Sequence, residues 1–144
     1  MQLLRRANKE YKNQFHRAVI RNDDGKTGGH GDILRELSKN DGMTQKELAE
    51  RMNIRPQSLT DALLRLENVG FITRTRSEKD RREQVVNITE SGRERSEMFR
   101  RISSEVTQKL FSGLTDEEKE TLASLLKKIA SDSEDIRKDD LKND

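Results

Sequence analysis

Cysteine is absent from this 144-residue chain. Its absence excludes disulfides, a thiolate metal site, a cysteine nucleophile and a thiol redox sensor. Apolar residues are scarce: they make up 30% of the sequence against 39% charged. An average globular chain is nearer ~45–50% apolar, glycine counted, and ~25% charged. The core is therefore thin for a chain of single-domain length. Long helices with solvated outer faces, and a second chain that completes the core, are the two expected remedies. No apolar run approaches the ~18 residues of a membrane span, and no signal-peptide core is visible near Met1. A cytoplasmic protein without a membrane partner is expected.

A strong excess of one charge is missing too, with 29 Lys and Arg against 27 Asp and Glu, net +2. A nucleic-acid interface would need its positive charge gathered locally. The two histidines, His16 and His30, flank a Gly-rich loop without H-x-x-x-H spacing, so no metal site is expected. Gly25-Lys26-Thr27 ends like a phosphate-binding loop but lacks the preceding glycine and strand. The serines have no recognisable base partner, and the acids read as helix surface. An enzyme is not expected, nor a cofactor.

What is present is a succession of amphipathic helices. Leu3, Leu4, Ala7, Tyr11, Phe15, Ala18 and Val19 draw one stripe along residues 1–21. Asn22–Gly31 is turn chemistry. Ile33, Leu34 and Leu37 mark a short helix stopped by Asn40-Asp41-Gly42. Thr44-Gln45-Lys46-Glu47 is a capping box that opens a third helix, with Met43 and Leu48 as its hydrophobic staple and Asn53 at its end. Pro56 suits the first turn of a fourth helix, which buries Leu59, Leu63 and Leu66 and ends near Gly70. Then the period changes. Ile72–Arg76 and Gln84–Ile88 are short and β-branched and flank a charged loop, which predicts a β-hairpin. Thr89 caps a long fifth helix carrying Met98, Phe99, Ile102, Val106 and Leu110, broken at Gly113. Thr115–Glu118 caps a sixth, with Leu122, Leu125, Leu126 and Ile129. From Ser131 to the end, residues 131–144, the composition predicts a frayed or disordered tail.

A capped helix, a tight turn and a Pro-started helix with a polar outer face form a helix-turn-helix layout. The major groove of duplex DNA admits one such helix. On the fourth helix Gln57, Ser58, Thr60, Asp61 and Arg65 are left outward, and its first amides are available to a phosphate. The hairpin gathers Arg74, Arg76, Lys79, Arg81 and Arg82 against Glu78, Asp80 and Glu83. A basic protruding hairpin suits the minor groove, and Asp80 is expected to brace the Arg82 guanidinium. The rival reading is a winged-helix protein-interaction module with no DNA role. The basic hairpin argues against it, since such a module has no need of Arg81 and Arg82 beside Lys79.

These segments resemble the MarR family (multiple antibiotic resistance regulators) of winged helix-turn-helix transcriptional regulators. The likeness is carried by MTQKELAERMNIRPQSLTDALLRLENVGFITR (Met43–Arg74), DRREQVVNITESG (Asp80–Gly92) and GLTDEEKETLASLLKKI (Gly113–Ile129). It implies a mainly α fold with a small β-hairpin wing. The DNA-binding lobe would span residues 32–90, and residues 1–21 and 93–130 would form dimerisation helices. It implies a homodimer that represses transcription and releases DNA when a small, often aromatic, ligand binds between the dimer region and the lobe. Carried over by position, Gln57, Ser58 and Thr60 would face the major groove and Arg82 the minor groove. Phe15 and His16 would line the ligand pocket. Leu3, Leu4, Ala7, Tyr11, Leu122, Leu125, Leu126 and Ile129 are expected to pack across a two-fold axis. Two positions depart from the family pattern. Asp61 stands where an arginine is frequent, and Arg55 stands where a small capping residue is frequent before the helix. Asp61 would accept from cytosine but repel phosphate.

Overall fold

The first apolar stripe lies on α1 (Gln2–Asn22), and the Ile33, Leu34, Leu37 triplet on α2 (Gly31–Lys39). There follow β1 (Met43–Thr44), α3 (Gln45–Met52), α4 (Pro56–Asn68), β2 (Ile72–Arg76), β3 (Gln84–Ile88), α5 (Glu90–Leu110) and α6 (Asp116–Asp140). The computed structural model describes residues 2–22, 30–78 and 80–140, with 132–140 by backbone alone. Most of the expected Asn22–Gly31 loop, including Gly25-Lys26-Thr27, lies outside the described residues, as does Lys79. The chain divides into two units, Met1–Val106 and Thr107–Asp144.

In the first unit the local signals set the helix ends. The Thr44 hydroxyl accepts the Glu47 N–H at 3.2 Å, and Glu47 Oε2 accepts the Thr44 N–H at 2.7 Å. Each bond satisfies an amide that the helix leaves orphaned. α3 ends on Asn53 in the left-handed region (φ 50°), with the Ile54 N–H donating to the Ala49 carbonyl at 3.1 Å. α4 ends the same way. Gly70 takes φ 78°, its N–H donates to the Glu67 carbonyl, and the Phe71 N–H donates to that of Leu66. This paired bonding satisfies the last carbonyls and turns the chain directly into β2.

The strands form an antiparallel sheet in the order β1-β3-β2, with Met43 and Arg74 both opposite Val86. The hairpin follows the sequence expectation. β1 does not: two residues are too short to show an alternating pattern, yet they add a third strand and fix the start of α3 to the sheet. Leu34, Leu37, Leu48, Leu59, Leu63, Leu66, Ile72 and Val86 are fully buried and form one core with Ile33, Met43, Phe71 and Ile88. Each buried Leu or Ile contributes about 1.5–3 kcal/mol relative to exposure. That core fixes the rotation of α4 and therefore which side chains it turns outward. On α1, Tyr11 bonds the Ser103 hydroxyl at 2.8 Å and its ring stacks on Phe15 at 6.0 Å. Phe15 in turn meets Phe99 at 6.3 Å.

The second unit holds the end of α5 and α6. Thr115 and Glu118 form the expected capping box, with bonds of 2.8 and 3.2 Å. α6 runs on to Asp140, where the sequence predicts fraying from Ser131. Residues 114–140 contain neither Gly nor Pro to stop a helix once it is capped, and residues 141–144 of the expected tail lie outside the described residues.

Candidate nucleic-acid interface

α4 presents the surface that the sequence singles out. Leu59, Ala62, Leu63 and Leu66 face the core, and Gln57, Ser58, Thr60, Asp61, Leu64 and Arg65 are exposed. Arg55 occupies the N-cap in extended conformation and makes no side-chain cap. The first turn carries no acidic residue, so its free amides and the positive end of the helix dipole face solvent uncompensated. Among the described residues none bonds the side chains of Gln57, Ser58, Asp61 or Arg65. They are polar groups held on a rigid element with their bonding capacity unspent.

Thr60 differs from its neighbours. Its hydroxyl donates to the Pro56 carbonyl at 2.9 Å and accepts from Gln45 Nε2 at 2.6 Å. Gln45 is the first residue of α3, so this bond spans the helix-turn-helix. Sequence reading placed Thr60 on the outer face but missed Gln45, which carries no signal beyond its place inside a capping box.

The wing corrects one detail and relocates one residue. Asp80 Oδ1 accepts the backbone N–H of Arg82 at 2.9 Å. It does not brace the guanidinium, because a short carboxylate two residues back reaches the main chain in an Asx-type turn. The turn is tightened by the Ser77 N–H donating to the Glu83 carbonyl at 3.0 Å and the Glu83 N–H to that of Asp80 at 2.9 Å. Arg76, Arg81 and Arg82 are exposed, with no side-chain partner among the described residues. Arg74 was grouped with them from sequence. It instead lies largely buried against Glu67, with Nε and Nη2 both on Oε2 at 2.9 and 2.6 Å. The α4–β2 turn brings the two together and neutralises Arg74 within the fold.

His30 precedes α2 and is partly buried. Burial, and secondarily the positive charge of Arg65 on α4, hold its pKa below the usual histidine value. His16 is exposed, while Phe15 is committed to the Tyr11–Phe99 stack. Leu3, Leu4 and Ala7 are exposed and Tyr11 is half-buried. In the second unit Leu125, Leu126 and Ile129 are 52%, 41% and 55% exposed, too much apolar surface for one helix to leave in water without a reason. Beside them Thr107, Gln108, Phe111, Lys119, Leu122, Ala123 and Leu126 line a groove of about 420 Å³. Among the described residues no helix is long and apolar enough to cross a membrane.

Comparison with known proteins places this geometry. Residues 27–84 match the MarR family. Over 100 residues the chain is 34% identical to an uncharacterized HTH-type transcriptional regulator, YwhA of Bacillus subtilis (strain 168), covering 69% of this chain and 72% of that one. It is 31% identical over 110 residues to the HTH-type transcriptional repressor MdtR of the same organism, covering 76% and 71%. Among solved structures it resembles a MarR transcriptional regulator from Methanosarcina mazei Go1, with TM-score 0.82, 24% identity and coverage of 94% and 96%. It also resembles a mutant MarR from E. coli complexed with operator DNA, with TM-score 0.76, 24% identity and coverage of 89% and 91%. Shared residues over most of both chains, on a common winged-helix frame, give one conclusion: this chain belongs to the MarR family of transcriptional regulators.

Proposed function

We propose that this protein binds double-stranded DNA sequence-specifically as a homodimer, that it represses transcription, and that a small aromatic ligand releases it. The observation that carries the reading is the outer face of α4. Gln57, Ser58, Asp61 and Arg65 stand exposed, with no hydrogen-bond partner among the described residues, on a helix whose N-terminus has no side-chain cap. A helix of this kind fits the major groove, where such side chains reach base edges. Arg76, Arg81 and Arg82 supply the local positive charge that the near-neutral chain otherwise lacks, and they suit the minor groove. Arg55 and Lys79 add charge along the same stretch of sequence. The exposed apolar residues at both ends of the chain support a second copy as the missing part of the core. Repression is argued from MdtR, a named repressor, and operator binding from the E. coli MarR complex. The ligand is argued from the Tyr11–Phe15–Phe99 stack, an aromatic surface beside His16 in sequence. Regulatory DNA binding in turn implies a cytoplasmic protein.

The deciding experiment is fluorescence anisotropy on duplex DNA from the gene's own upstream region, against a random duplex, across a salt series. Tight binding to the upstream duplex, with a log–log salt slope of several units, is the expected result. No binding to either duplex at low salt overturns the reading.

A further inference from the structure

Gln45 lies on α3, outside the helix that the proposed function places in the major groove, yet it holds a side chain of that helix in one bonding state. A threonine hydroxyl has one proton and two lone pairs. In Thr60 the proton is used by the Pro56 carbonyl at 2.9 Å, and one lone pair is used by Gln45 Nε2 at 2.6 Å. The valence left over is a lone pair. Thr60 is exposed and sits on the same outer face as Gln57 and Asp61. Without Gln45 the hydroxyl is free to turn its proton outward and present either a donor or an acceptor.

We propose that Gln45 is a specificity-determining positioning residue: it locks Thr60 as a hydrogen-bond acceptor, so that the base edge facing Thr60 is a donor. In the major groove the donors are the N6 amino group of adenine and the N4 amino group of cytosine. Guanine (N7 and O6) and thymine (O4) present acceptors only, whereas adenine carries its N7 acceptor beside the N6 donor. The helix-turn-helix thus excludes guanine and thymine at one position through a residue that need not touch the base. This inference rests on the DNA-binding reading above.

The test is selection of duplexes from a randomised library by the full-length protein, followed by affinities for single-base-pair variants of the winning site. Wild type, Gln45→Leu, Thr60→Val and Thr60→Ser are compared. Thr60→Val should abolish the preference at one base pair, and Thr60→Ser should restore it. At that pair the wild type should favour adenine or cytosine on the contacted strand by about two- to tenfold, the range of a single hydrogen bond. Gln45→Leu should relax the same base pair, admitting guanine or thymine, and leave other positions unchanged. A merely structural role for Gln45 would instead weaken all sequences alike. Thermal melting of each variant reports whether the fold survives; Thr60 is exposed and Gln45 only half-buried, and intact cooperative unfolding is expected. The proposal is overturned if Gln45→Leu leaves base preferences untouched, if it acts at a different base pair from Thr60→Val, or if wild type prefers an acceptor edge there. A wild-type protein that enriches no sequence overturns the DNA-binding reading itself, and this inference with it.

Discussion

Asp41 is tied to Arg93 across the fold: its Oδ2 takes the guanidinium, while Oδ1 accepts the N–H of Ile88 at 2.9 Å and that of Gly42 at 2.9 Å. One carboxylate therefore joins the turn after α2, the end of β3 and the first turns of α5. Asp41→Ala should destabilise the protein by about 1–3 kcal/mol, because the part-buried Ile88 N–H is left unpaired. Asp41→Asn keeps the oxygen for both amides and loses only the half-exposed ion pair, so its cost should be the smaller one. Urea unfolding of both variants checks the order; equal losses would mean that the amide bonds contribute nothing.

Gly92 is needed for close approach. A Cβ added there would stand 2.1 Å from the Phe71 carbonyl oxygen and 2.8 Å from Ile88 Cγ1. That carbonyl cannot swing away cheaply, since it already accepts the Thr89 N–H at 3.0 Å. Gly92→Ala should cost at least about 1–3 kcal/mol through overpacking. Gly113→Ala is the control. An added Cβ meets nothing within 4 Å there, and the change should stay within about 0.5 kcal/mol. Thermal melting distinguishes the two.

The two arginines assigned alike from sequence should behave in opposite ways. Arg82→Ala removes an exposed charge that has no partner among the described residues. Stability should stay within about 0.5 kcal/mol, while the salt slope of DNA binding should fall by about 1. Arg74→Ala strands Glu67 beside the core and should destabilise by about 1–3 kcal/mol with little change in salt slope. Denaturation and salt titration on the same preparations read both quantities. An Arg74→Ala variant that loses salt dependence would return Arg74 to the DNA-binding surface.

This contrast shows where the sequence stops being legible. Features set by neighbours a few residues apart were readable: both capping boxes, Asn53 at the end of α3, the Pro56 start and the inward face of α4. Their physics is local, so the residues that decide it lie within one window. Arg74 with Glu67, Asp41 with Ile88, and Gln45 with Thr60 were not readable. Each pair meets only after a turn, a strand pairing or a helix packing has formed. β1 was hidden because its pairing with β3, not its two residues, makes it a strand. Charge counting on the wing failed for Arg74 because a charge on a strand faces either solvent or a neighbour, and composition does not say which.

His30 makes stability depend on pH. Its folded-state pKa is lowered from 6.5, first by burial and then by Arg65. The unfolded chain therefore binds a proton that the folded chain resists, so stability rises with pH across that interval. It should begin to fall as the pH drops through about 6.5, the ordinary histidine value. The loss is complete once the pH lies below the lowered folded value. His30→Asn should flatten this part of the profile without changing stability's trend above pH 7. Urea midpoints between pH 5 and 8 check it; a profile unchanged by the substitution would assign the dependence to other groups.

The apolar surface at the two ends of the chain yields the last expectation. Leu3 is 80% exposed, and Leu125 and Ile129 are more than half exposed, while the core around Leu63 is complete without them. Exposure of that extent on helices otherwise rich in charge fits the proposed second copy, which would cover it. Wild type should sediment as a dimer at micromolar concentration. Leu125→Glu, which places a charge in the surface that the second copy would cover, should shift it to monomer while the far-ultraviolet spectrum stays helical. DNA affinity should fall in parallel, because two linked lobes bind a palindromic site far more tightly than one. A wild-type monomer that still binds its operator tightly would remove the dimer from the account and leave these leucines unexplained.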